Sequence, residues 1–188
     1  MTAAHGAPPA APPAVMERAA RIALLVLDVD GVLTDGRLYL GDNGVEYKAF
    51  SSRDGHGIKL LLAAGVDVAV ITGRRSRVVE QRMAALGVTH VYQGDDRKRP
   101  IFERLLRDLD LDASRAAYVG DDLVDLPVMR ACALAIAVAD ADARVAARAH
   151  WRTTNRGGRG AVREVCELLL HARGALDAAL APWLGEAP

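Results

Sequence analysis

With 188 residues, 51% of them hydrophobic, and 24 basic side chains balancing 24 acidic ones to a formal charge of zero, the chain has the make-up of one ordinary globular domain. Such a balance offers no electrostatic footprint for nucleic acid, and no apolar run approaches the roughly 20 residues of a membrane span. Cys132 and Cys166 stand in apolar surroundings without Cys-x-x-Cys spacing. Buried free thiols are therefore expected rather than a disulfide or zinc site, which fits a cytoplasmic protein.

Residues 1–20 are rich in Ala and Pro and lack both the basic start and the unbroken apolar centre of a signal peptide, so they read as a disordered tail. The domain proper is expected over 21–175, with a C-terminal tail over 176–188. From Ile22 onward short β-branched runs alternate with longer helical ones, the pattern of an α/β fold whose parallel sheet carries helices on its faces. The expected strands are Ile22–Asp28, Val66–Thr72, His90–Gln93, Ala116–Gly120 and Ala133–Val138, most of them apolar throughout, as strands covered on both sides must be. Helical spacing or strong helix formers mark Gly57–Ala64, Arg77–Leu86, Pro100–Leu109, Asp125–Ala131 and Asp142–Ala147, and Ala161–Leu180 carries the last apolar face. Arg37–Leu40 and Val45–Phe50 flank the turn sequence Gly41-Asp42-Asn43-Gly44 and predict a β-hairpin after the first strand. No stretch is long enough for a separate lid domain.

The chemistry gathers at the carboxyl ends of these strands, where open α/β sheets bind ligands. The first strand runs into Asp28-Val29-Asp30-Gly31. Asp28 and Asp30 share one face of an extended chain, and two carboxylates so close repel unless a cation or a reaction uses them. Magnesium takes oxygen ligands and keeps several waters, so Asp28 would give it a carboxylate and Asp30 a main-chain carbonyl. That division leaves Asp28 as a nucleophile toward phosphorus and the Asp30 side chain as acid and then base. A bare Asp-x-Asp-Gly also suits an ordinary turn.

A second acidic cluster, Gly120-Asp121-Asp122-Leu123-Val124-Asp125, closes another apolar strand. Asp121 is the expected third metal ligand, with Asp122 and Asp125 holding waters or neighbouring groups, although either of these two equally suits a helix cap. Thr72, before Gly73-Arg74, offers a hydroxyl to phosphoryl oxygens, and Lys98 offers them a compact ammonium. Lys48, Lys59 and Lys98 are the only lysines in an arginine-rich chain, a pattern that assigns no role by itself. The histidines lack metal-ligand spacing, and Thr153-Thr154-Asn155-Arg156-Gly157-Gly158-Arg159-Gly160 reads first as a flexible connection, with the role of Arg159 open.

Taken as a set, Asp28-Val29-Asp30-Gly31, Thr72, Lys98 and Gly120-Asp121-Asp122 resemble the haloacid-dehalogenase-like phosphatase superfamily in type and order. Together with Arg53-Asp54-Gly55-His56-Gly57-Ile58-Lys59, Ile71-Thr72-Gly73-Arg74 and Gly157-Gly158-Arg159-Gly160-Ala161-Val162-Arg163-Glu164-Val165, they resemble its 3-deoxy-D-manno-octulosonate 8-phosphate phosphatase family from about Ile22 to Leu170. The resemblance implies a capless, Rossmann-like domain and a magnesium-dependent phosphatase. It also implies a homotetramer built through the hairpin, whose neighbouring subunit completes the site, and a place in lipopolysaccharide biosynthesis. Under it Asp28 is the nucleophile, Asp30 the acid/base, Thr72 and Lys98 hold phosphate, Asp28, Asp30 and Asp121 hold the metal, and Arg53 and Arg74 meet a sugar-acid substrate. It further implies that the glycine-rich segment closes a neighbour's site. Two other readings compete: a phosphatase for a nine-carbon ulosonate 9-phosphate, which would use the same catalytic set, and a non-catalytic oligomeric module, whose expected mark is a damaged motif.

Overall fold

The computed structural model describes residues 10–185. In chain order its elements are α1 (Pro13–Ala19), β1 (Leu24–Leu27), β2 (Tyr39–Leu40), β3 (Glu46–Tyr47), α2 (Ser52–Ala63), β4 (Asp67–Thr72), α3 (Arg77–Leu86), β5 (His90–Gln93), α4 (Lys98–Asp108), β6 (Ala116–Gly120), α5 (Leu126–Met129), β7 (Leu134–Ala137), α6 (Ala143–Ala146), β8 (Trp151–Arg152), α7 (Ala161–Ala172) and α8 (Leu176–Leu184). Six strands make one sheet in the order β5-β4-β1-β6-β7-β8, parallel at every pairing, while β2 and β3 pair antiparallel on their own. This is a Rossmann-like α/β sandwich with a hairpin inserted after β1 and, among the described residues, no cap domain.

The sheet is covered on both faces, so its central strands are apolar at consecutive positions. Leu25 and Leu27 of β1 face the layer containing α1, α2, α3 and α7, whereas Leu24 and Val26 face α4, α5 and α6. All four side chains are fully buried. At about 25 cal/mol per Å² of apolar surface removed from water, each such leucine contributes roughly 1.5–3 kcal/mol. No described helix is long and apolar enough to cross a membrane.

Besides shifts of a few residues at most element ends, four features differ from the sequence reading. Part of the expected 1–20 tail is helical: α1 buries Val15 and Ala19, and Arg18 donates from Nη1 to the Ala133 carbonyl at 2.6 Å, while residues 1–9 lie outside the described ones. Helix α2 begins at Ser52 rather than Gly57, because Ser51 caps it and its two glycines serve packing. A Cβ on Gly57 would lie 3.1 Å from the Arg163 Cα, so the bare glycine lets α2 and α7 approach closely. The apolar face expected as one run over Ala161–Leu180 is two helices, broken at Gly174 in the left-handed region (φ 67°), so α8 occupies most of the expected 176–188 tail. Strand β8 escaped detection because two residues carry no period.

Candidate active site

Strand β1 lies between β4 and β6, so their carboxyl ends adjoin at the point where the strand order reverses. Asp28 follows β1, Thr72 closes β4, and Asp121 follows β6. The three line a cleft of about 370 Å³ together with Asp30, Arg74 and Lys98. Asp122 also lines it, accepting the Leu123 N–H at 2.7 Å in a one-turn helical cap.

Lys98, the first residue of α4, is buried and sets its ammonium between two carboxylates, 2.8 Å from Asp28 Oδ1 and 2.7 Å from Asp125 Oδ1. Burial alone would lower its proton affinity, but Asp28 and Asp125 outweigh burial and raise it, so the ammonium stays charged. Asp125 is fully buried and every acceptor position is used: Oδ1 takes Lys98 and the Tyr118 hydroxyl at 2.7 Å, and Oδ2 takes the N–H groups of Asp121 at 2.9 Å and Asp122 at 3.2 Å. Burial first, then the charges of Asp125 and Asp28, push the Tyr118 hydroxyl far up, so it remains a donor. Asp125 is therefore the post that aligns Lys98 and the Asp121 turn.

Asp28, Asp121 and Asp125 each place a carboxylate oxygen within 4.8 Å of the others. One ammonium does not balance three carboxylates. Burial first, and Asp125 next, push Asp28 from 3.8 to about 7 against the pull of Lys98. Burial, then Asp28 and Asp125, push Asp121 to about 8. A cation would remove both the repulsion and the cost of burying the charges. Since Asp125 is saturated and Asp121 Oδ1 is buried with no hydrogen-bond partner among the described residues, the free side-chain ligands are Asp28 and Asp121, an all-oxygen set suited to a magnesium-like ion.

Gly31 is what lets Asp121 sit so near the β1 turn. Its φ of 94° is left-handed, and an added Cβ would meet Asp121 Oδ2 at 2.0 Å. Gly31→Ala is expected to destabilise the protein by roughly 1–3 kcal/mol and to weaken magnesium binding by displacing Asp121, seen as a smaller magnesium-induced rise in Tm than in the parent.

The glycine-rich segment after β8 packs on its own chain. Gly158 donates to the Val32 carbonyl at 2.8 Å, Gly157 donates to Asp140 Oδ1 at 3.0 Å, and a Cβ on Gly157 would lie 1.7 Å from the Gly31 carbonyl oxygen. Glu164 of α7 accepts four bonds from Thr154 and Asn155, and the buried Asp54 of α2 accepts from the N–H groups of Gly160 and Arg163. In one chain, then, the segment is a strap behind the turn that follows β1, and Arg159 lies 3.7 Å from Asp35 with its side chain exposed.

Arg74 lies at the cleft, its Nη2 bonded to Glu46 at 3.2 Å and its Nε 3.8 Å from Asp30 Oδ2. Arg53 sits exposed on the first turn of α2 and is not among the residues lining the cleft. Sequence reasoning assigned nothing to Lys48 and Glu46, which the hairpin brings to Asp30. The only signal for Lys48 was the scarcity of lysine, since two of the three lysines stand beside the two catalytic candidates, and Glu46 had none.

A haloacid dehalogenase-like hydrolase family model matches residues 47–133. The 3-deoxy-D-manno-octulosonate 8-phosphate phosphatase of Escherichia coli (strain B / BL21-DE3) is 54% identical over 165 residues, 88% of each chain. The chain belongs to the haloacid dehalogenase-like hydrolase family. Its fold matches the crystal structure of the Yersinia pestis 3-deoxy-D-manno-octulosonate 8-phosphate phosphatase with a TM-score of 0.87 at 49% identity, covering 88% of this chain and 89% of that one. The Moraxella catarrhalis enzyme of that name, crystallised with magnesium, phosphate and KDO, matches with a TM-score of 0.88 at 40% identity over 90% of this chain and 97% of that one.

Proposed function

We propose that this hydrolase is a magnesium-dependent phosphatase that converts 3-deoxy-D-manno-octulosonate 8-phosphate to the free sugar acid through an aspartyl phosphate. The reading rests above all on one observation: a buried Asp28 carboxylate held by Lys98 beside Asp121, whose Oδ1 is buried without a hydrogen-bond partner among the described residues, at the switch point of the sheet. Asp28 attacks phosphorus and the bond from phosphorus to the sugar oxygen breaks. Asp30 gives that oxygen its proton. Asp30 then takes a proton from the water that attacks the acyl phosphate, releasing inorganic phosphate and restoring Asp28. Thr72 and Lys98 hold the phosphoryl oxygens, and Lys98 also fixes the nucleophile's orientation. Magnesium on the Asp28 and Asp121 carboxylates and the Asp30 main-chain carbonyl would supply positive charge where the phosphoryl group and the carboxylates crowd.

Arg74 suits the substrate carboxylate because its planar fork pairs bidentately. Arg53 takes a substrate role only if a neighbouring subunit shares the site. A homotetramer joined through the hairpin is supported by the exposed Leu38, Tyr39, Leu40, Val45 and Tyr47, an apolar surface beside the cleft that a second copy would cover. On this reading the enzyme works in the cytoplasm and feeds lipopolysaccharide biosynthesis.

The test is phosphate release from a panel of sugar phosphates, including the eight- and nine-carbon ulosonate phosphates, in magnesium and in EDTA. A magnesium-dependent preference for the eight-carbon ester by at least about tenfold in kcat/KM is expected, since discrimination is differential transition-state binding. A nine-carbon preference overturns the substrate, and inactivity on every ester overturns the catalytic reading.

A further inference from the structure

The acid/base candidate is not held by its own loop. The Asp30 carboxylate accepts a hydrogen bond from the Nζ of Lys48, whose side chain is 1% exposed although it comes from the hairpin. Lys48 Nζ also lies 3.5 Å from Glu46 Oε1, the same oxygen accepts Arg74 Nη2 at 3.2 Å, and Arg74 Nε returns to within 3.8 Å of Asp30 Oδ2. Four charges of alternating sign thus close a ring, two from the hairpin and two from the ends of the β1 and β4 segments.

Such a ring is unlike a surface ion pair. A single lysine desolvated at this depth needs a partner, and its cost is met by Asp30 and Glu46 together. Its bond fixes one Asp30 oxygen and leaves Oδ2 without a hydrogen-bond partner among the described residues. A carboxyl group so tethered has one oxygen free to carry the proton that moves. Among the described residues the one hydrogen bond to this side chain comes from Lys48, so the hairpin, a separate segment, sets its angle.

We infer that Lys48 is a positioning residue for Asp30, orienting its free oxygen toward the leaving group, and that Glu46 positions Arg74, so that the hairpin sets both proton transfer and substrate acceptance. The inference deepens the phosphatase reading and rests on it. Neither residue is given a contact with the phosphoryl group, a place the phosphatase reading assigns to Thr72 and Lys98. Loss of Lys48 is therefore felt in proportion to how much the leaving group needs a proton.

The experiment compares kcat/KM, which reports the steps up to the first irreversible one, for an alkyl sugar phosphate and for 4-nitrophenyl phosphate, whose leaving phenolate needs no proton. The parent, Lys48→Met and Lys48→Arg are measured in magnesium, with circular dichroism and Tm checking the fold. Lys48→Met is expected to lose about 10²-fold on the alkyl ester, the range general acid catalysis supplies, and under about tenfold on the nitrophenyl ester, with Lys48→Arg recovering part of the first loss. Glu46→Gln is expected to raise KM for the carboxylate-bearing substrate and leave kcat within about threefold. Equal losses on both esters, or none on either, overturn the positioning role. So does a Lys48→Met that unfolds while Glu46→Gln leaves KM unchanged. A parent that cleaves neither ester refutes the phosphatase reading instead, so the two failures are told apart.

Discussion

Asp28→Asn is expected to abolish phosphate release, by about 10⁴-fold or more, while leaving the protein at least as stable as its parent in EDTA. The first half follows from losing the proposed nucleophile, since among the described residues the only other carboxylate paired with the Lys98 ammonium is Asp125, whose oxygens are all engaged. The second half follows from electrostatics. Burial first, and Asp125 next, raise Asp28 from 3.8 to about 7, so the folded state holds its proton where the unfolded chain has released it. Stability from such a group is present at low pH and is lost as pH rises through the folded value. In metal-free buffer the parent's Tm should therefore fall between about pH 4 and pH 8, steepest around pH 5–6, where the unfolded chain has released both protons and the folded state still holds them, and levelling off as pH passes 7 for Asp28 and 8 for Asp121. Asparagine cannot ionise, so the variant should show a shallower decline, whereas magnesium should raise the Tm of the parent more than that of the variant. Thermal melts across pH in EDTA and in magnesium, alongside phosphate release, check all three. A variant that keeps turnover removes Asp28 from the reaction.

What made these residues visible beforehand was the geometry of a sheet covered on both faces. Continuous apolar runs such as Leu24–Leu27 and Val68–Ile71 have no other stable home, and a cluster of aspartates at the end of such a run can only lie at the rim. Adjacent placement of Asp28, Thr72 and Asp121 then follows from short right-handed connections. Asp125 illustrates the limit. Its type and position suit a cap as well as a support, and its N–H acceptor geometry does resemble a cap, but the bonds from Lys98 and Tyr118 come from residues 27 and 7 positions away. Lys48 was invisible for a related reason: the register of the hairpin, not its composition, carries the ammonium to Asp30. Arg53 entered through family resemblance alone, with no local pattern to place its side chain, and a single chain leaves it at the surface. The glycine-rich strap was ambiguous because glycine shows that a backbone must come close to something, not to what. The structure supplies the partner, the Gly31 carbonyl of the same chain.

The same reasoning makes Asp125 the residue whose loss should most damage the fold. Asp125→Ala strips partners from the Lys98 ammonium, the Tyr118 hydroxyl and the N–H groups of Asp121 and Asp122 at one stroke. Each buried donor left unsatisfied costs about 1–3 kcal/mol, and breaking a buried ion pair costs about 3–5. These contributions overlap, because Lys98 keeps Asp28 and the Asp121 turn can reach water through the cleft. Relief of repulsion on Asp28 and Asp121 offsets a further part. A net loss of about 3–5 kcal/mol is expected, which lowers Tm by on the order of 10 °C in a domain of this size. Asp125→Asn separates shape from charge, since its amide oxygen accepts from one side while its NH₂ faces donors on the other. It should cost nearly as much as alanine if Lys98 and the backbone both need an acceptor, and far less if only one of them does. Pairing each with Lys98→Met closes a double-mutant cycle. A coupling energy above about 1 kcal/mol is expected, because the ammonium that Asp125 holds is the charge whose burial it makes possible. Additive effects would mean that Asp125 stabilises the turn alone, and that Lys98 owes its place to Asp28.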